Sequence, residues 1–139
     1  THSKWAAVWA QACRGIPALG TTHADYFYGE IPCTRALTQS EIEEAYESNT
    51  GRVIVETFQE RDPQDMHAVL VAGHGPFTWG KSARDSVETA VVLEEIAEIA
   101  YGSLMLNANL GPMPQALLDK LDGYVPAPAI VKWAGTLKA

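Results

Sequence analysis

The stretch that decides the fold is Ala68-Val69-Leu70-Val71-Ala72-Gly73-His74-Gly75-Pro76-Phe77. Its first five residues form an uninterrupted apolar run that ends at Gly73, a pattern typical of a sheet strand covered on both faces. We therefore predict a central strand here. His74 follows between two glycines, which let the backbone approach closely, at the kind of strand end where α/β folds place sites. From its neighbours alone, His74 is either a metal ligand or a loop histidine bonded to a carbonyl group.

Amphipathic helices are predicted on both sides of this strand. Before it, Ser3 is placed to cap a helix that ends ahead of Gly15. The inward positions of that helix would be Trp5, Val8, Trp9 and Ala12. After the strand, Ser82 is placed to cap the longest helix of the chain, which extends to Leu106 and should pack across the sheet. Its apolar stripe would comprise Val87, Ala90, Val91, Glu94/Glu95, Ile96, Ala97, Ala100, Tyr101 and Leu104.

The remaining segments are predicted from shorter signals. Residues 16–35 lack a steady period and should form short strands and loops. A capping box, Thr38-Gln39-Ser40-Glu41, opens a helix that would turn Ile42, Ala45 and Tyr46 inward. The β-branched run 53–58 reads as a strand or as a second helical piece, and propensity favours the strand. Residues 115–121 should form a short helix, and 123–129 an extended tail.

Composition limits the class of protein. The chain has 139 residues, of which 47% are hydrophobic and 19% charged, as in one compact globular domain. Its net charge of −7 would repel phosphate backbones, so we expect no nucleic-acid partner. The sequence contains neither a membrane-spanning run nor a leader pattern in its first twenty residues, so we expect no membrane partner. Cys13 and Cys33 are interpreted as reduced, buried thiols, which favours a cytoplasmic location.

A few side chains are candidates for chemistry. Asp25 stands two residues after His23 in an aromatic-rich segment, a setting that raises the pKa of a carboxyl group and suits it to proton transfer; the alternative is a structural Asx-turn. His2, close to the first residue of the sequence, would be solvated unless a partner is supplied from elsewhere, and His67 is expected to be a surface or packing residue. No nucleophile-elbow or phosphate-loop spacing is present, so the motifs give no support to nucleophilic catalysis or nucleotide binding.

Five segments together resemble the class II aldolase/adducin family, and within it the sugar-phosphate 4-epimerases. They are Thr1–Ser3, Gly20–Gly29, Ile31–Arg35, Thr50–Thr57 and Gly73–Lys81, supported by Val92-Leu93-Glu94-Glu95. The resemblance implies a three-layer α/β/α sandwich, of which residues 1–120 would be a partial domain, the C-terminal part of a class II aldolase-like domain. Residues 121–139 would be a tail without a family match. Because the sequence opens at Thr1 without a methionine, we expect it to be part of a longer protein.

The resemblance also implies a chemistry. In this family a zinc ion is held by three histidines, and His2 and His74 match two of them; the third would lie one residue before Thr1. The implied reaction is the zinc-dependent epimerisation of L-ribulose 5-phosphate to D-xylulose 5-phosphate at C4, by retro-aldol cleavage and aldol re-addition, in the catabolism of pentoses such as arabinose. Asp25 matches a family acid/base residue. Thr21 and Glu47 match substrate-binding positions at the subunit interfaces of a homotetramer.

The family leaves two alternatives open. A class II sugar-phosphate aldolase would share the fold and the metal but would release an aldehyde instead of an epimer. An adducin-like member would be a non-catalytic interaction domain.

Overall fold

The structure, a computed structural model, describes residues 1–122. Its elements are α1 (Lys4–Gln11), α2 (Thr21–Ala24), α3 (Gln39–Thr57), β1 (Ala68–Val71), β2 (Gly75–Thr78), α4 (Ala83–Leu106) and α5 (Gln115–Leu121). The bounds of α4 and α5 agree with the sequence prediction. The predicted extended tail at 123–129 lies outside the described residues.

Strand β1 lies at the centre of the sheet. It pairs antiparallel with β2, in a register that sets Leu70 opposite Pro76. On its other side Leu70 forms a parallel bridge with Cys33, and beyond that Ile16 bridges Ile31. All four residues of β1 are buried, because neighbours cover both of its edges and both of its faces. The predicted central strand is confirmed, although Ala72 belongs to the turn that follows it.

Helices α1 and α4 pack together against this sheet. The indole Nε1 of Trp9 donates a hydrogen bond to the carbonyl oxygen of Ala97 at 2.9 Å, and small buried residues allow a close approach: Ala6, Ala10, Ala97 and Ala100. Both predicted helices are confirmed, but their predicted inward faces were partly wrong. The predicted residues that are exposed are Val8, Ala12, Val87, Val91 and Tyr101. The α4 core includes Val92 and Leu93 instead.

Helix α3 differs most from its prediction. The capping box is present, since Thr38 Oγ1 accepts a bond from the backbone of Glu41 and the Glu41 carboxylate accepts one from the backbone of Thr38. The helix then kinks at Ala45, whose φ of −161° and ψ of 68° are not helical. The kink breaks the 3.6-residue period, so the predicted inward positions Ile42, Ala45 and Tyr46 are exposed.

The predicted strand at 53–58 was wrong, because α3 continues to Thr57. Val53 is buried and Phe58 is half-buried against the core, whereas Val55 is 70% exposed. The hydroxyl of Thr57 satisfies the carbonyl of Val53 one turn earlier, at 2.8 Å. The buried and half-buried positions, 53, 54, 57 and 58, recur with the spacing of a helix and not of a strand. This tertiary context outweighs the β-propensity of the run.

Two further expectations are refined by the structure. The segment 16–35 contains the expected short bridges, together with the single-turn helix α2. Both cysteines are free, but Cys13 is exposed and only Cys33 is half-buried, so the prediction of two buried thiols was wrong for Cys13. Burial raises the pKa of the Cys33 thiol to about 11. Within residues 1–122, no helix is both long enough and apolar enough to cross a membrane.

Candidate metal centre

The turn between β1 and β2 presents His74. Gly73 adopts a φ of +72°, a left-handed conformation that glycine reaches without a steric penalty. The backbone nitrogen of His74 then bonds to the Val71 carbonyl at 2.9 Å, and that of Gly73 to the Ala10 carbonyl at 2.8 Å. The turn is thereby closed on itself and fixed to the end of α1. This local arrangement agrees with the role predicted for the glycines that flank His74.

The first residues of the chain lie directly against this turn. A Cβ atom on Gly75 would come within 2.8 Å of the Thr1 carbonyl oxygen and 3.5 Å of the His2 ring. Only glycine therefore admits the segment at this distance. The Thr1 backbone nitrogen also donates to the Pro76 carbonyl at 3.0 Å. These contacts bring His2 beside His74, although the two residues are far apart in sequence.

The two imidazole rings meet through their Nε2 atoms, which are 3.1 Å apart. The ring centroids lie 5.1 Å apart, with planes inclined by 54°. Two nitrogen ligands of a tetrahedral zinc, each about 2.0 to 2.1 Å from the ion, are separated by about 3.3 Å. The pair therefore has the donor atoms of two zinc ligands, at close to the separation that two such ligands have. Within the described part of the chain, no group of three or more His, Cys, Asp and Glu side chains is placed to hold a metal.

Sequence reasoning missed the contact that Tyr46 makes with His74. The hydroxyl of Tyr46 lies 3.3 Å from Nδ1 of His74, and the two rings are nearly parallel, 18° apart. A partner on the second ring nitrogen is the usual means of fixing the orientation and tautomer of a ligating histidine. The periodicity of α3 had assigned Tyr46 to the core, so the pattern gave no signal for this contact.

The other predicted site residues lie on two different helical segments. Thr21 and Asp25 lie one turn apart at α2, joined by a backbone hydrogen bond of 2.9 Å. Asp25 is half-buried, and loss of hydration raises the pKa of its carboxyl group, which is the direction expected from the sequence. Glu47 follows Tyr46 on α3 and is exposed. Among residues 1–122, no hydrogen bond joins Thr21, Asp25 or Glu47 to either imidazole of the pair.

The remaining histidines do not join the pair. His23 is 4% exposed, and its Nε2 lies 2.7 Å from the Gly29 carbonyl. Burial lowers the pKa of His23 to about 4, so it is neutral at physiological pH and ties the loop after α2. His67 is half-buried, immediately before β1; its interpretation as a surface or packing residue stands.

A comparison with protein families identifies the domain. Residues 1–101 match the model of the class II aldolase and adducin N-terminal domain. The chain belongs to this family. The match includes α1, α2, α3, both strands and most of α4, and therefore both members of the imidazole pair. The resemblance on which the sequence analysis relied is confirmed.

The chain is also similar to individual proteins of known name. Proteins named L-ribulose-5-phosphate 4-epimerase UlaF, from Salmonella paratyphi A and Salmonella typhi, are each 52% identical over 120 residues, which is 86% of this chain and 53% of the relative. The chain thus spans about half the length of the curated relatives it matches. A solved structure of an L-fuculose 1-phosphate aldolase has a TM-score of 0.62 at 17% identity, over 86% of this chain and 50% of that one. This likeness shows a class II aldolase type of fold with mixed helices and strands.

Proposed function

We propose that this chain supplies the metal-binding part of an enzyme that epimerises L-ribulose 5-phosphate to D-xylulose 5-phosphate at C4. The observation that carries the proposal is the apposition of the His2 and His74 Nε2 atoms at 3.1 Å. It occurs in a chain that is 52% identical to named 4-epimerases. The same separation suits a hydrogen bond between the two rings or a cation that both rings share, and the identity to named 4-epimerases favours the cation.

His2 and His74 would hold the zinc ion through their Nε2 atoms. For His74 this requires the proton on Nδ1, which would then be donated to the hydroxyl oxygen of Tyr46. Tyr46 would thereby keep the Nε2 atom of His74 unprotonated and free to bind a cation. A bound zinc supplies Lewis-acid stabilisation of the negative charge that develops when the bond between C3 and C4 of the sugar opens.

Asp25 would move the proton of the C4 hydroxyl group on one face of the aldehyde fragment. Its half-burial keeps the pKa of the carboxyl group above its usual range, closer to the pH at which a general acid or base works best. Thr21, one helical turn earlier, and Glu47 beyond the kink of α3 would bind substrate oxygens.

We further propose that the site is completed at subunit interfaces of a homotetramer. Asp25 and the imidazole pair have no described contact with each other, as expected if each active site draws them from different subunits. The domain of residues 1–120 would then contribute to a three-layer α/β/α sandwich. The two free thiols are in keeping with a cytoplasmic enzyme.

Turnover of the pentose phosphate tests this function. The zinc-loaded 139-residue chain is assayed alone, and also joined behind the segment that precedes the matched region in the Salmonella typhi relative. Nuclear magnetic resonance follows L-ribulose 5-phosphate, and we expect D-xylulose 5-phosphate to accumulate to equilibrium. His74→Ala should remove the activity, whereas His67→Gln, at the other half-buried histidine, should retain it.

The same spectra separate the alternatives. Net formation of a two-carbon aldehyde phosphate without the epimer would replace the proposal with an aldolase. Zinc-loaded protein that leaves the substrate unchanged in both preparations would contradict an enzymatic role and favour a non-catalytic interaction domain.

A further inference from the structure

A carboxylate of α4 closes the first turn of α1. Oε1 of Glu94 accepts a hydrogen bond from the backbone nitrogen of Trp5 at 2.8 Å, and Oε2 accepts one from that of Ala6 at 3.0 Å. These are two of the four backbone donors that a helix leaves without an internal partner at its N-terminus. Each carboxylate oxygen therefore has its own donor, and the side chain is held by both.

Glu94 caps α1 in place of the local N-cap residue, Ser3. Ser3 occupies the N-cap position, but its side chain makes no capping bond, and its hydroxyl oxygen is buried without a partner. The first turn of α1 contains no acidic residue of its own. Glu94 thus provides both the missing acceptors and the negative charge that the positive end of the helix dipole favours.

The position of this cap connects it to the metal centre. His2 is only one residue before the N-cap Ser3 and three before Trp5, whose backbone Glu94 holds. The next tie between the helices, from Trp9 to Ala97, lies one turn further along. Because the backbone path from Trp5 to His2 is so short, the angle at which α1 starts contributes to the position of the His2 ring, together with the contact of Thr1 with Pro76.

We infer that Glu94 is a positioning residue: by capping α1 from α4, it fixes His2 at the distance from His74 at which the two imidazoles share one cation. This inference rests on the proposed function, since it assigns to Glu94 a part in building the same metal site. Without the cap, the first turn of α1 would fray and His2 would have to be ordered on binding, at the expense of affinity.

Cation binding by the 139-residue chain tests the inference. Glu94→Gln keeps the volume of the side chain but replaces one acceptor with an NH₂ group that faces another donor. We expect its Zn²⁺ affinity, measured by competition with Co²⁺, to fall about tenfold or more, the loss typical of outer groups that orient metal ligands. The visible absorption of bound Co²⁺, which reports ligand geometry, should also change. Glu94→Asp, which keeps the charge on a shorter stem, should bind with intermediate affinity.

Two variants provide matched controls. Glu98→Gln makes the same charge change one turn further along α4, at an exposed residue, and should bind Zn²⁺ as the wild type does. Trp9→Phe removes the other tie between α1 and α4; it should lower the melting temperature of the metal-free protein while leaving the Co²⁺ spectrum unchanged.

The outcomes distinguish the inference from the proposed function. Wild-type affinity and an unchanged Co²⁺ spectrum in Glu94→Gln would overturn the role of Glu94 alone. So would an equal loss of affinity in Trp9→Phe, because helix packing in general would then be responsible. A wild-type chain that binds neither Zn²⁺ nor Co²⁺ would overturn the metal site and the inference together. If Glu94→Gln lacks the wild-type circular dichroism spectrum, Glu94→Asp takes its place in these comparisons.

Discussion

At the scale of single residues, the catalytic role that we propose for Asp25 and its contribution to stability should oppose each other. Burial raises the pKa of its carboxyl group in the folded chain, so the ionised form present at pH 7 is less favoured in the native state than in the unfolded one. We expect Asp25→Asn to lower kcat for epimerisation about a hundredfold or more. The free energy of unfolding at pH 7 should stay the same or rise. Steady-state kinetics and urea unfolding measure the two effects, and an active but destabilised variant would contradict the assignment.

His23 makes a prediction about pH. Its pKa is about 4 in the folded chain and about 6.5 when unfolded, so the unfolded state binds the proton first as the pH falls. The stabilisation from neutral His23 is complete above pH 6.5 and is lost as the pH approaches 4. The loss should amount to about 3 kcal/mol at pH 4.

The matched measurement is urea unfolding between pH 7 and pH 4.5. His23→Gln can still donate to Gly29, but it has no titrating group, so its stability should fall less steeply over this range than that of the wild type. His67→Gln serves as the control and should keep the wild-type slope. Parallel curves for the wild type and His23→Gln would show that His23 does not govern this pH dependence.

At the scale of elements, the start of α3 depends on its capping box. Thr38 Oγ1 satisfies the backbone nitrogen of Glu41, and Arg35 holds the carboxylate of Glu41 at 2.8 Å, which lowers the pKa of Glu41 to about 2. Thr38→Ala should therefore reduce the free energy of unfolding by about 1 kcal/mol. Thr38→Ser retains the hydroxyl group and should lose much less; equal losses in chemical denaturation would argue against the cap.

The elements also show where local patterns stop being informative. The Ser82 cap marks the start of α4, and Pro112 and Pro114 precede the start of α5. Both signals act between residues only a few positions apart in sequence. The kink at Ala45 has no such signal, and Tyr46, predicted to face the core, is exposed and contacts His74 instead. The β-branched residues around Val53 favour a strand, yet Val53 is buried within a helix. Which face of a segment is covered depends on tertiary packing, and the local sequence does not contain that information.

At the scale of the whole molecule, the sequence predicted the central strand, the helices around it and the two glycines that shape the turn at His74. The resemblance to the family singled out His2 as a candidate ligand, whereas local reasoning predicted a solvated side chain; the structure shows His2 exposed and beside His74. Neither route predicted Glu94 as the cap of α1, since the bond joins residues 89 positions apart. Contacts of this range depend on how helices pack, and a pattern read along the chain does not contain that information.

The central claim is that His2 and His74 together bind zinc, and the zinc content of the purified chain tests it most directly. Elemental mass spectrometry of metal-supplemented protein should give about one zinc per chain, the stoichiometry of a single site. His2→Ala and His74→Ala should each lose the metal, while His67→Ala retains it. A wild-type chain without zinc, or a His74→Ala variant that keeps its zinc, would contradict the account.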